Sequence, residues 1–234
     1  MPTINFVTLV LAAIALSGCS RSDPFATEHP LTAPQDGSTG IALIDDAFQT
    51  EPLSEGWGHR TFFAVKAAQY SIENIDDRRV LQCQTDNSGS IFARHTDIQL
   101  SDYPLLSWSW KIVAPIESDL DEDTKDGDDH PARFFMRFAE DNETRRAVEI
   151  IWSNKKYAPG DYKIIGNFYH YVANGLNQNV GTWHDQSVDL MQIYKDIGGT
   201  AAEPKLTLLG FFCDSDNTGA ESLAYFSDVR LEKR

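Results

Sequence analysis

The segment LLSWSWKI, Leu105 to Ile112, alternates without a break: Leu106, Trp108, Trp110 and Ile112 share one face, and Ser107, Ser109 and Lys111 share the other. A period of two with large aromatics on one side only is the pattern of a strand that is half buried against a core. Working outward, ARFFMRF sets Ala132, Phe134, Met136 and Phe138 against Arg133, Phe135 and Arg137. AVEIIW sets Val148, Ile150 and Trp152 against Ala147, Glu149 and Ile151. Further runs of the same kind are RVLQCQT, SIFARH, DYKIIGNFYHYV, SVDL, LTLLGFFC and AYFSDVRLEK, with turn residues between them. Many short strands at this spacing predict an all-β chain, an antiparallel β-sandwich of jelly-roll type. One segment departs from the pattern: Leu190, Ile193, Tyr194 and Ile197 follow helical spacing, so a short helix is expected over 190–197, capped by Asp189 and stopped at Gly198-Gly199.

With 234 residues, 41% of them hydrophobic and 11% aromatic, the chain can bury one core, and one globular domain over 41–234 is expected. The net charge of -15 argues against nucleic acid as a partner, because like charges repel. The N-terminus points to export. FVTLVLAAIALSGC is an apolar run of signal-peptide length ending in small residues, too short to span a bilayer. Its LSGC, Leu16 to Cys19, resembles the bacterial lipobox, although MPTIN before it has no Lys or Arg. That resemblance implies cleavage after residue 18 and lipidation of Cys19, with membrane attachment through the lipid. Ser20 after the cysteine resembles the sorting pattern of an outer-membrane lipoprotein facing the periplasm. Residues 19–40, rich in Ser, Thr, Pro and Gly without an apolar period, read as a flexible tether. Two cysteines remain, Cys83 and Cys213, and the sequence leaves open whether they form a disulfide or stay as separate buried thiols.

Two features carry the chemistry. If ARFFMRF and AVEIIW form a hairpin with both apolar sets on one face, Met136 stands opposite Val148 and Phe135 opposite Glu149. Glu149 then lies diagonally between Arg133 and Arg137, beside an aromatic ring. This is either a site that orients a glycan or other polar ligand or an ion-pair ladder without one. Trp183, close in sequence to His170 and His184, is a further candidate for ligand stacking, or ordinary core. The second feature is acidic: eight of the thirteen residues from Glu117 to Asp129 are Asp or Glu. Asp128 and Asp129, with Asp214 and Asp216 of DSDNTG and Asp228, are candidate ligands for a structural calcium ion, although neither run has the spacing of an EF-hand. The alternative is solvated acidic loops, and the distal acids Glu117 to Asp123 are expected to be solvated.

The order WSWK, KDGDDHPAR, DSDN and YFSDV resembles the bacterial family known as domain of unknown function 3047. The matching residues are Trp108, Trp110 and Lys111; Lys125, Gly127, Asp128, Asp129, Ala132 and Arg133; Asp214, Asp216 and Asn217; and Tyr225, Asp228 and Val229. The resemblance spans about 45–231, with Ser187 standing where the family tends to carry Arg. The family is similar in outline to carbohydrate-binding jelly rolls, which implies the fold and assigns no reaction.

No catalytic residue is identified. Ser153-x-x-Lys156 lacks its companion motifs, the carboxylates of Glu140 to Glu143 fall in an expected turn, and the six histidines show no zinc spacing. Three functions are compatible with these residues: a non-catalytic module binding a glycan or other polar ligand in the cell envelope, a polysaccharide-acting enzyme using Glu149, Asp128 and Asp129, or an envelope assembly protein that binds another protein.

Overall fold

The structure is a computed structural model that describes residues 23–27, 29–140, 145–176 and 179–234. The expected signal peptide and Cys19 lie outside the described residues. In chain order the strands are β1 (Leu31–Thr32), β2 (Gly40–Ala42), β3 (Trp57–Thr61), β4 (Gln69–Ile75), β5 (Arg78–Asp86), β6 (Gly89–Gln99), β7 (Leu105–Ala114), β8 (Arg133–Ala139), β9 (Arg145–Ser153), β10 (Tyr162–Ile165), β11 (Phe168–Gly175), β12 (His184–Asp189), β13 (Lys205–Asp214) and β14 (Glu221–Glu232). The helix α1 (Leu190–Asp196) follows β12, with the Asp189 side chain accepting from the Gln192 amide and Gly198 in the left-handed region just beyond its end.

Two sheets form a β-sandwich of jelly-roll type. The larger runs β1-β6-β13-β8-β9-β11-β10 with β3 also on β6, and the smaller runs β12-β7-β14-β5-β4 with β2 on β14. Most pairings are antiparallel, but β9 and β11 run parallel, as do β1 and β6. DYKIIGNFYHYV, which reads as one strand, turns back on itself at Gly166-Asn167 and gives the β10–β11 hairpin. The hairpin β8–β9 has the expected register, with Met136 opposite Val148 and Phe135 opposite Glu149.

The inner faces meet in one aromatic core. Trp108, Trp110, Phe134, Trp152, Phe211 and Phe226 are buried there. Trp110 lies 5.5 Å from Trp152 and Phe134 5.4 Å from Phe226, both edge-to-face. Cys83 of β5 and Cys213 of β13 are joined across this core, with Cα atoms 6.6 Å apart, so the disulfide ties one sheet to the other.

A second, smaller apolar cluster lies on the outer face of the larger sheet, where Ile91, Ala93, Phe135, Leu208 and Phe212 are covered by Phe25. Here the sequence reading of a tether over 19–40 is corrected. From Asp23 onward the described chain lies on the domain: Phe25 is 2% exposed, β1 pairs with β6, and β2 pairs with β14. Gly58 makes room for this crossing, since a Cβ there would stand 2.2 Å from the Pro24 carbonyl oxygen.

Candidate functional site

The outer face of the larger sheet holds the site. Register places Ala93, Gly210, Phe135, Glu149, His170 and Lys163 side by side on five adjoining pairings, with Ile91, Phe212 and Arg133 in the row beside them. Period two turns all of these side chains outward. Gly210 keeps the middle of the first row low: a Cβ there would meet that of Ala93 at 2.2 Å. Over these rows opens a cleft of about 830 Å³, rimmed by Phe62, Phe168, Arg60, Arg137, Lys125 and Asn217. Phe168 is 44% exposed.

The cleft floor is an ion network set into the sheet. Arg133, 2% exposed, donates from Nη1 to Glu149 Oε2 at 2.7 Å and from Nη2 to the Asp128 carbonyl at 2.7 Å and to the Asp214 carboxylate. Its guanidinium carbon stands 4.3 Å from the centre of the Phe212 ring. Lys163 Nζ donates to Asp128 Oδ1 at 2.7 Å and to the Glu122 carbonyl at 2.8 Å. His170, 1% exposed, sets Nε2 at 3.3 Å from Glu149 and 3.5 Å from Asp128. His130 Nδ1 donates to the Trp152 carbonyl at 2.9 Å, which leaves Nε2 facing Asp128 at 3.5 Å.

Burial and charge oppose each other in this network. Desolvation would raise Glu149, but the Arg133 guanidinium and His170 outweigh it and hold the carboxyl at about 2. Asp128 is likewise held well below the carboxylate range, burial being outweighed by His130 and Arg133. Burial pushes His130 down to about 4, with Lys163 and Arg133 adding to the shift. Asp214 goes the other way. Its burial and the nearby Asp129 carboxylate drive it upward against the pull of Arg133. Two buried cations, Arg133 and Lys163, face four buried or nearly buried carboxylates, Asp128, Asp129, Glu149 and Asp214, so a proton is best kept by the carboxylate with the most negative surroundings.

The sequence candidates are distributed unevenly over this geometry. Arg133, Arg137, Glu149, Asp128, Asp214 and Asp216 all line the cleft. Arg133 belongs to its floor and is committed to carboxylates. Trp183 is elsewhere, on the outer face of the smaller sheet, where Nε1 donates to Asp76 at 3.0 Å and Arg78 lies over its ring at 5.0 Å. Its strand period could not say which sheet it would join.

Of the candidate calcium ligands, Asp129, Asp214 and Asp216 converge, each with a ligand atom within 4.8 Å of the others. Asp129 already accepts from the Thr218 amide and hydroxyl at 2.6 and 2.7 Å and from Asn217 Nδ2 at 3.1 Å, and Asp214 is tied to Arg133. Calcium takes six to eight oxygens, so this trio falls short of a full shell. Asp128 is separate, paired with Lys163, and Asp228 stands on the smaller sheet, 59% exposed and 3.4 Å from Arg78.

Sequence reasoning also missed Glu122. Expected to be solvated, it is 3% exposed and accepts from Ser153 Oγ and the amides of Asn154, Lys155 and Lys156 at 2.7 to 3.2 Å, anchoring the acidic loop to the end of β9. Asp121 and Asp123 pair with Lys156 at the surface. The acidic run thus serves as a strap, tied by the buried Glu122 to the end of β9 and by Asp129 to Asn217 and Thr218, with the Asp128 carbonyl at Arg133.

A family model described as a protein of unknown function, DUF3047, matches residues 55–230. The chain belongs to this family. Arg133, Asp128, Asp129, Asp214 and Asp216 of the DUF3047 motifs are the same residues that meet at the cleft floor and beside it. Solved structures similar in outline include a family 11 carbohydrate-binding module from a Clostridium thermocellum cellulosomal cellulase, with TM-score 0.43 and 10% identity over 83% of this chain and 97% of that one. A family 30 carbohydrate-binding module has TM-score 0.42 and 13% identity over 75% of this chain and 77% of that one. An endoglucanase, Cel12A from Rhodothermus marinus, has TM-score 0.43 and 10% identity over 76% of this chain and 93% of that one. At such scores they bear on neither ligand nor reaction. No curated relative matches the sequence.

Proposed function

We propose that this DUF3047 protein is an exported, lipid-anchored module that binds a saccharide chain in the cleft of its larger sheet without cleaving it. The observation that carries the reading is the cleft itself, a polar floor fixed by buried ion pairs beneath a rim of arginines and an exposed aromatic ring. Arg133 Nε and His170 Nδ1 are sealed from solvent within that floor, so the polar groups a ligand reaches are those of the rim, Arg60, Arg137, Lys125 and Asn217. The partly exposed Phe168 ring at the rim supplies an apolar face of the sort that stacks on sugar rings.

Binding without hydrolysis is favoured because Glu149 and Asp128 are held ionised by neighbouring cations, whereas a glycosidase needs a carboxyl that keeps its proton near neutral pH. One observation favours hydrolysis instead: Asp214 is driven upward and Glu149 downward while both touch Arg133. Export is supported by the disulfide between Cys83 and Cys213, which belongs in an oxidising compartment. Attachment at Cys19, placement in the outer membrane facing the periplasm, and a site working in the cell envelope are parts of the same proposal. The third possibility, an assembly protein, would be left if no saccharide bound.

Calorimetric titration of residues 23–234 against a panel of neutral and acidic oligosaccharides tests the site. Binding by at least one member, weakened about tenfold in Phe168→Ala with an unchanged melting temperature, is the expected result. No binding across the panel would overturn it, and release of reducing ends from a bound member would convert the module into an enzyme. Lipid attachment is read separately, by mass spectrometry of membrane-extracted protein and by the loss of membrane association in Cys19→Ala.

A further inference from the structure

The cleft does not end at its own rim. A second hollow of about 520 Å³ adjoins it beside the Asp23–Phe25 segment, and Arg60, Phe62 and Arg137 line both. The junction is therefore marked by two guanidinium groups. Each lies over an aromatic ring of the trough: the Arg60 guanidinium carbon is 5.3 Å from the centre of Phe62, and that of Arg137 is 5.4 Å from the centre of Phe135. Both side chains are half-buried.

Neither arginine has a carboxylate in direct contact. Among the described residues neither makes an ion pair within 4.0 Å, while Arg133, Arg78 and Arg146 each have one or more carboxylates in reach. Of the carboxylates of the cleft, Glu149 and Asp214 are engaged by Arg133 and Asp128 by Lys163, and Asp216 makes no ion pair with either arginine. Asp23, the nearest acid on the other side, is turned to His95 Nε2 at 3.1 Å and to the Phe25 amide at 3.0 Å. In a chain of net charge -15, two half-buried guanidinium groups without a carboxylate in contact thus meet at one place, the junction of the two hollows. The electrostatics agree: burial lowers the affinity of Arg137 for its proton, and Arg60 and Arg145 lower it further while Asp23 opposes them.

We propose that the saccharide bound in this cleft is acidic, and that Arg60 and Arg137 grip a carboxylate or sulfate group of it at the junction of the two hollows. The proposal rests on the cleft being a saccharide site. A guanidinium fork matches a carboxylate or sulfate with two parallel hydrogen bonds, and stacking on Phe62 and Phe135 holds the forks in place before the ligand arrives. The sugar rings then run from that junction over Gly210 and Phe135 towards Phe168, with the anionic group at one end and the aromatic rim at the other.

The test compares four probes by calorimetry: hexagalacturonate, its fully methyl-esterified form, a heparin hexasaccharide and cellohexaose. The expected result is that one of the acidic probes binds at least about tenfold tighter than either neutral one, with a strong loss of affinity as salt is raised. Hexagalacturonate identifies a carboxylate and heparin a sulfate as the group held. The double variant Arg60→Gln/Arg137→Gln should bring the acidic probe down to the affinity of the neutral ones. Neutral probes binding as tightly as acidic ones, or an acidic probe indifferent to the double variant, would overturn the acidic ligand and leave the saccharide site standing. Silence from all four would overturn both.

Discussion

The outer faces of the two sheets are built from the same kinds of residue and differ in what water can reach. On the larger sheet, Arg133, Lys163, Glu149 and Asp214 are 2 to 7% exposed in their side chains and hold one another in place. On the smaller sheet, Lys111 pairs with Asp76 at 2.9 Å, and Arg78 pairs with Asp228 and Asp185 at 3.4 and 3.9 Å, with exposures from 20 to 81%. Equivalent charges therefore do different work. Exposed pairs contribute about 0–1 kcal/mol each, whereas breaking a buried pair strands the surviving charge at a cost of about 3–5 kcal/mol. The lesson is that a pattern of Arg, Glu and Asp on a strand acquires meaning from the cover above it: Phe25, Phe62, the acidic strap and the β10–β11 hairpin on one side, open water on the other.

The sharpest way to break that comparison is to make one change on both faces. Arg133→Met should cost about 3–5 kcal/mol, since Glu149 and Asp214 lose their common cation inside the sheet. In a chain of this size that lowers the melting temperature by roughly 6–20 °C. Calorimetric or circular-dichroism melts read it, and a loss under about 2 °C would mean that the network is idle. Arg133→Lys should recover only part, because a compact ammonium group does not reproduce the planar fork that spans these widely spaced acceptors.

Acid titration gives the next largest effect. His130 is neutral in the folded protein, with its affinity lowered from 6.5 to about 4 by burial. The unfolded chain binds the extra proton first, so its contribution is complete above pH 6.5 and is lost as pH falls towards 4, on the order of 3 kcal/mol in all. Glu149, held at about 2, adds a further loss once pH drops below its unfolded value of 4.5. Melting temperatures between pH 7 and pH 4 should therefore fall, and His130→Asn should flatten the upper part of that fall. An unchanged slope in the variant would assign the acid sensitivity to other groups.

The β8–β9 register and the α1 cap were legible because each is a local pattern, a period of two across a short turn and a period of 3.6 behind an aspartate. The hairpin reading also placed Glu149 beside Arg133. The partners from afar were not legible. His170 reaches Glu149 through the parallel pairing of β9 with β11, which no short-range signal encodes. Glu122 could not be told from the solvated acids around it, since its burial depends on the free amides of Asn154, Lys155 and Lys156 at the end of β9. The place of Trp183 was illegible for the mirror-image reason: an aromatic beside a polar strand looks the same on either sheet.

The smallest expected effect completes the comparison. Arg78→Met removes the same guanidinium from the smaller sheet, together with its stacking on Trp183 and its bond to Ser109 Oγ at 3.0 Å. Water already solvates Asp185 and Asp228, which are 81% and 59% exposed in their side chains, so neither is stranded when the cation goes. The cost should stay near or below about 1 kcal/mol, a few degrees at most, and saccharide binding should be unaffected. Trp183→Ala should likewise leave binding unchanged, because the ring stands on the opposite sheet from the cleft. Arg78→Met melting as low as Arg133→Met would show that exposure does not separate the two faces. Lost binding in Trp183→Ala would move the saccharide from the larger sheet to the smaller one.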